Sequence, residues 1–379
     1  MAWKEVTVMS LRKEFVSLAV NEGANISELC RRFGISRRTG YKWLWRRQEE
    51  DEHWAEDQSR RPERSPRRTS SEMEGWVLSV RDEHPTWGGR KIAQRLRDLG
   101  HEGIPSPSTI TAILSRHGRL QELERKKRGP LQRFEREAPN QLWQMDFKGH
   151  FPLAAGSCHP LTVIDDHSRY SLLVSACGDE RAETVRSKLI PAFRCYGLPS
   201  RILSDNGSSF CAPNSRYNYL SAWLIRLGIS ISHGRFFHPQ TQGKNERFNR
   251  TLKEEVIRGR NFSHLAECQA AFDRFRACYN HERPHEALGM KTPSVRYTVS
   301  PFPYPERLPP VEYPAGWLIR KVTVGGLLSL GNSFYPVGRA FVGEQVGLRP
   351  TVLEGVMEVY YCHQRIMVLD LRDRSWRQT

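Results

Sequence analysis

The hydrophobic rhythm of the chain changes at Ala138-Pro139-Asn140, and that change most restricts what it can fold into. Before it, apolar residues recur at helical spacing. After it, Leu142-Trp143-Gln144-Met145-Asp146-Phe147 alternates like a strand, 159–164 is apolar and rich in β-branched residues, and 170–176 follows the Asp166-His167-Ser168 turn. Three strands in short succession predict an antiparallel meander. Helices over 181–196 and 217–227 then alternate with short strands over 201–204 and 229–232, which predicts parallel additions to the same sheet. Two further helices, over 241–258 and 264–279, complete an α/β domain spanning 139–300.

Three carboxylates stand out in this domain. Asp146 lies in the first strand among apolar neighbours, where an acid needs a partner or a metal. Asp205 closes the fourth strand in Asp205-Asn206-Gly207, a tripeptide that also suits a tight turn. Glu246 sits on a helix whose same face carries Arg250 and Lys253, a pattern that also describes a solvated row of ion pairs. Asp165 and Asp166 read as hairpin-turn residues.

The 379 residues imply roughly two to three domains. With 58 Lys and Arg against 42 Asp and Glu, the net charge is +16, so a polyanion is the expected partner. No apolar run approaches membrane-spanning length and the N-terminus has no signal-peptide core, so the expectation is a cytoplasmic, nucleoid-associated protein with no membrane partner. Eight cysteines are scattered without a Cys-x-x-Cys or a Cys/His cluster at zinc spacing. Neither disulfides nor structural zinc are expected.

Upstream of 139 the chain reads as two helical units. In the first, 1–48, a helix over 8–20 precedes a short amphipathic helix (Ile26, Leu29, Cys30, Phe33), and Ser36 caps a third helix running to about residue 47. This is a helix-turn-helix pattern, whose last helix offers Arg37, Arg38, Tyr41, Lys42 and Arg46 to DNA while Trp43 and Leu44 face inward. Gly40 inside it is a mild cost. A polar linker follows over 49–71. The second unit, 72–118, has apolar stripes at Met73, Trp76, Val77 and Val80 and at Ile92, Leu96 and Leu99, then a helix opened by Ser106-Pro107-Ser108. It offers Ser108, Thr109 and Thr111 to DNA. A basic linker over 119–138 contains Arg125-Lys126-Lys127-Arg128. Downstream, 301–314 is a Pro-rich, extended linker, and six short strands over 315–379 predict a small all-β barrel.

Four motifs occur in order: Trp143-Gln144-Met145-Asp146; Ser204-Asp205-Asn206-Gly207; His238-Pro239-Gln240-Thr241-Gln242-Gly243-Lys244-Asn245-Glu246-Arg247-Phe248-Asn249-Arg250-Thr251-Leu252-Lys253; and Tyr279-Asn280 with Arg283-Pro284-His285. Together they resemble the integrase core of DDE transposases from bacterial insertion sequences, relatives of retroviral integrases. The resemblance implies a multidomain chain: helix-turn-helix units, an α/β RNase H-like core and the small C-terminal barrel, which is similar to a domain of phage Mu-like transposases. It also implies that Asp146, Asp205 and Glu246 are catalytic and bind metal. Oxygen-only ligands favour Mg²⁺ or Mn²⁺, two ions per site, for in-line displacement at phosphorus. Lys244, Asn245, Arg250 and Lys253 become DNA contacts beside the metals. The implied partners are double-stranded DNA, as element ends and target, and further copies of the chain in a dimer or higher multimer. Two features depart from the family pattern: the interval from Asp205 to Glu246 is several residues longer, and the zinc-binding N-terminal module of retroviral integrases is missing.

Overall fold

The computed structural model describes residues 7–48, 53–57, 69–120, 135–205, 207, 209–211, 217–233, 243–331 and 333–372. The basic stretch 125–128, most of the 49–71 linker, Asn206 and the 238–242 motif lie outside the described residues. The chain divides into two compact units, Met1–Arg68 and Thr69–Thr379.

The first unit holds α1 (Val8–Ala19), α2 (Ile26–Arg32) and α3 (Arg37–Gln48). Its small core is Phe15, Val16, Cys30 and Trp43. Ser36 Oγ accepts from the Thr39 amide at 3.2 Å, so the expected cap forms. Gly40 proves to be a packing requirement: a Cβ there would lie 2.6 Å from Cys30 Sγ and 2.9 Å from Phe15 Cζ. Residues 53–57, read as linker, pack back onto the unit. Ala55 is buried, and Arg12 donates to its carbonyl at 2.8 Å and pairs with Asp57.

In the second unit, α4 (Ser71–Glu83), α5 (Gly89–Asp98) and α6 (Pro107–Arg116) surround a core of Val77, Trp87, Ile92, Leu96, Ile110 and Ile113. Gly89 is where α5 meets α6 most closely; a Cβ would lie 2.2 Å from the Pro107 carbonyl oxygen. Leu99, placed on the apolar stripe by its spacing, is exposed because α5 ends before it.

The sheet that follows has six strands: β1 (Trp143–Phe147), β2 (Phe151–Pro152), β3 (Ser157–Asp165), β4 (Ser171–Cys177), β5 (Arg201–Ser204) and β6 (Ser230–His233). The first, third and fourth form the expected antiparallel meander, and β5 and β6 add in parallel to β1. The long strands therefore lie in the order β4-β3-β1-β5-β6, with β2 a short addition beside β3. One face is covered by α7 (Ala182–Tyr196) and α8 (Tyr219–Arg226) through Leu189, Phe193, Trp223 and Leu224. The other is covered by α9 (Gly243–Leu252), which continues as a π turn over Lys253–Ile257, and α10 (Leu265–His281), through Phe248, Leu252, Phe272 and Phe275.

The Pro-rich stretch is a docked strap. Phe302 carbonyl accepts from Leu198 N at 2.7 Å, the Tyr304 ring lies near Phe193, and Glu306 pairs with Arg194. Composition predicted an extended chain but not that Tyr304 would pack against α7. Beyond it, β7 (Leu318–Lys321), β10 (Gln345–Pro350), β11 (Val356–Tyr361) and β12 (Gln364–Asp370) form an antiparallel sheet, and β8 (Leu327–Leu330) pairs with β9 (Ser333–Pro336). The six strands thus form a four-stranded sheet and a hairpin around one core, which also takes in Ala222 and Ile225 of α8. Sharing α8 makes this C-terminal module continuous with the central domain.

Candidate active site

Sheet topology explains why two of the three acids meet. Trp143 pairs with Ile202 and Gln144 with Leu203, in parallel. Continuing that register places Asp146 on β1 beside Asp205, which directly follows β5, at the carboxyl ends of adjacent strands where open α/β sheets present their sites. Asp205 is held by its own turn: the Gly207 amide donates to Oδ1 at 3.0 Å.

Helix α9 brings the third acid. Its buried residues Asn245, Phe248, Asn249 and Leu252 follow i, i+3, i+4, i+7 spacing, so one face lies on the sheet and Glu246 is left exposed beside it. Phe248 packs edge-on against Tyr279 at 4.7 Å and tilted to Phe275 at 5.7 Å, which seats α9 on α10.

Asp146 is the most perturbed of the three. Burial, then the charges of Asp205 and Glu246, push its carboxyl up to about 7, while a hydrogen bond from Asn249 opposes the rise. Asn249 Nδ2 donates to Asp146 Oδ2 at 2.8 Å. The Thr162 hydroxyl, on the strand next to β1, faces Asn249 Oδ1 at 3.0 Å, Asn245 Oδ1 at 3.3 Å and the Asp146 carbonyl at 3.1 Å. Asn249 was not singled out from sequence, because an Asn on a helix reads as a surface residue. Its place three residues after Glu246, on the buried stripe, was the available signal.

Two of the expected DNA contacts have protein surroundings in this structure. Lys244 is half-buried against Asp166, with Nζ 2.7 Å from Oδ2, and desolvation pulls its pKa down to about 8. Asp166, taken for a turn residue, also accepts from Gln144 Nε2 at 2.7 Å and from the Arg136 amide at 2.8 Å. Asn245 is buried beneath α9, and its Nδ2 has no partner among the described residues. Arg250 and Lys253 are exposed on the outer side of the same segment. Asp165 is also buried and accepts from Asn140 N, Ser168 N and Ser168 Oγ.

On the helix-turn-helix units, Arg37, Arg38, Tyr41 and Lys42 are exposed on α3. Arg46 is half-buried, lies over the Trp43 ring at 4.9 Å and reaches the Glu56 carbonyl. Ser108, Thr109 and Thr111 are exposed on α6, but their hydroxyls bond to Ser106 Oγ or, for Thr111, to the Pro107 carbonyl. The Tyr279 to His285 motif pins the end of α10. Asn280 exchanges hydrogen bonds with the Ser171 backbone, Arg283 pairs with Glu255, and burial pulls His285 down to about 3.

Helix-turn-helix units in the same chain as an RNase H-like sheet, with acids on adjacent strand ends under a covering helix, match the plan of an integrase-core protein. Integrase core domain models match residues 136–239 and 227–293, and a model for the C-terminal domain of IS481 family transposases matches 318–377. A helix-turn-helix model matches 11–52 and a homeodomain-like model 39–114. These models match an integrase core and the C-terminal domain of an IS481 family transposase, so the chain is similar to the integrase-core (DDE) transposases of bacterial insertion sequences.

It is 27% identical over 157 residues to an uncharacterized 31.7 kDa protein of insertion element IS407 from Burkholderia multivorans, covering 41% of this chain and 55% of that one. It is 30% identical over 161 residues to a 39.2 kDa protein of insertion element IS476 from Xanthomonas euvesicatoria, covering 41% and 44%. The chain thus spans about half the length of the curated relatives it matches. A chain of a simian T-cell lymphotropic virus intasome, solved with a PP2A regulatory subunit, is similar over 77% of this chain and 99% of that one, at 17% identity and a TM-score of 0.38. No helix among the described residues is long and apolar enough to cross a membrane.

Proposed function

We propose that the chain is a DNA transposase that binds the terminal inverted repeats of its insertion sequence, cuts the 3′ ends and joins them to target DNA. The observation that carries this reading is the half-buried Asp146 carboxyl, raised to about 7 by desolvation and by two further acids at the same sheet edge. A cluster of that kind is one a divalent cation would balance. The donor set fits such an ion: all three ligands are carboxylates, and Asn249 engages only one oxygen of Asp146. Asp146, Asp205 and Glu246 would hold Mg²⁺ or Mn²⁺, two ions per site, which would supply charge stabilisation at the phosphate and an acidified attacking oxygen.

The chain's own residues do the positioning. Thr162 and Asn249 fix the Asp146 carboxylate, the Gly207 amide fixes Asp205, and Phe248 fixes the helix carrying Glu246. Arg250 and Lys253 hold DNA phosphates beside them. Arg37, Arg38, Tyr41 and Lys42, with Ser108, Thr109 and Thr111, read the element ends. In the first reaction a water oxygen bonds to phosphorus as the 3′ oxygen leaves with a proton. In the second, that 3′-OH attacks a target phosphodiester and displaces the target's own 3′ oxygen. Each step forms one P–O bond as another breaks, so no nucleotide cofactor is consumed. A dimer or larger multimer holds two ends at once, on the DNA of the cytoplasm.

The test mixes full-length protein, labelled end DNA and a supercoiled target, with Mg²⁺ or EDTA. Joined products in Mg²⁺ alone support the proposal. Tight end binding with no cutting or joining would instead identify a DNA-binding regulator.

A further inference from the structure

The end of α4 and the last turns of α10 bring together three side chains that the sequence keeps far apart. Cys278 and Glu282 stand one helical turn apart at the end of α10 and share a face. His84, the residue that ends α4, reaches the same place. One ligand atom from each lies within 4.8 Å of the other two, and His84 Nδ1 is 3.9 Å from Cys278 Sγ. All three residues are half-buried.

The surroundings hold these groups in place. Trp87 stacks flat on the His84 ring, at 3.8 Å between centroids and 10° between planes. Arg95 Nη2 donates to Glu282 Oε2 at 2.6 Å, which orients the carboxylate as an outer-shell partner does. His84 Nε2 is buried and has no hydrogen-bond partner among the described residues, the Glu83 carboxylate standing 3.9 Å away, whereas buried polar atoms are ordinarily hydrogen-bonded. The imidazole thus has one nitrogen facing a thiol and the other without a hydrogen bond.

We propose that His84, Cys278 and Glu282 form a Zn²⁺ site that fastens the second helix-turn-helix unit to the catalytic domain. One nitrogen, one sulfur and one oxygen ligand suit a borderline-soft ion and disfavour Mg²⁺ or Ca²⁺, which take oxygen alone. Three protein ligands leave a fourth tetrahedral position to water. Burial favours the neutral imidazole at His84, the form that binds metal, and pushes the Cys278 thiol up to about 12, so binding must displace a proton. The site reinforces existing ties at this junction: Thr86 to Glu255 at 2.6 Å, Arg95 to Glu282, and Arg90 to Glu286. Chain spacing predicts no zinc because His84 and Cys278 are 194 residues apart. It is separate from the three acids, which contribute no sulfur or nitrogen.

The experiment strips full-length protein with EDTA and titrates it with Co²⁺ alone, following the near-ultraviolet thiolate-to-cobalt charge-transfer band. The acid site gives no such band. The expected result is a band that saturates at one equivalent per chain, is displaced by Zn²⁺, disappears in Cys278→Ala and persists in Cys211→Ala. Glu282→Gln is expected to weaken Zn²⁺ binding by at least about tenfold. A second readout needs no variant: Zn²⁺, but not Mg²⁺, protects Cys278 of the native chain from alkylation, located by peptide mass mapping. No band in the native protein, a band that survives in Cys278→Ala, or equal alkylation with and without Zn²⁺ overturns the proposal.

Discussion

Asn249 donates from Nδ2 to Asp146 Oδ2 at 2.8 Å, so the helix carrying Glu246 is hydrogen-bonded to the strand carrying the first acid of the site. That one bond couples the position of the third acid to the orientation of the first. Asn249→Leu keeps approximate volume but removes the donor. The expected outcome is a loss of DNA cutting of roughly tenfold to a hundredfold, with end binding in gel-shift assays unchanged.

Metal-free stability should depend on pH through Asp146. Its pKa is 3.8 when unperturbed and about 7 in the folded chain, so the folded state binds the proton more tightly. The stability this contributes is full below about pH 4 and is lost as pH rises through about 7. Asp146→Asn removes that loss. In EDTA at pH 8 the variant should therefore be more stable than the native protein, by roughly 2 to 4 kcal/mol in denaturant titrations. Added Mg²⁺ should narrow the gap. Equal stabilities at pH 8 would show that the acids do not repel one another.

Asp166 is buried and Lys244 half-buried against it, with side-chain exposures of 2% and 14%. Asp166→Ala removes the carboxylate shared by the Lys244 ammonium, Gln144 Nε2 and the Arg136 amide, leaves the ammonium on the residue-166 main-chain carbonyl, and should cost about 3 kcal/mol by urea denaturation. Replacing both residues, as Lys244→Met with Asp166→Leu, should recover part of that loss.

Much of the central domain was legible because its acids violate local rules. Asp146 stands in an apolar strand, where an unpaired carboxylate is costly, and the switch from period 3.6 to period 2 near Pro139 marks where the sheet begins. What stayed hidden depends on distant partners. Asp166 looked like a turn residue because nothing local shows that Lys244 folds down upon it. Lys244 and Asn245 looked like surface contacts because charge and amide chemistry suit DNA equally well. The docking of the strap through the Phe302 carbonyl and the Tyr304 ring was hidden by proline-rich composition, which describes backbone stiffness and not what the strap touches.

Gly40 illustrates the same point within α3. Gly40→Ala would raise helix propensity yet push a methyl group into Cys30 and Phe15. We expect a net loss of about 1 to 3 kcal/mol in the first unit, measured as increased proteolysis of α3 in the full chain, and weaker end binding.

Arg37, Arg38 and Lys42 are exposed along α3. Replacing one of them with Ala should lower the slope of log binding constant against log salt by about 1 if it contacts a phosphate. An unchanged slope for all three variants would remove α3 from the DNA interface.

The central claim is that Asp146, Asp205 and Glu246 act as one metal-dependent site. Its most direct test is 3′-end cutting of labelled end DNA in Mg²⁺ by the native protein and by Asp146→Asn, Asp205→Asn and Glu246→Gln, each at a concentration that saturates the DNA. The account predicts full end binding by all four proteins and cutting by the native chain alone, with each variant reduced at least about a thousandfold. Near-native cutting by any one of the three variants would contradict it.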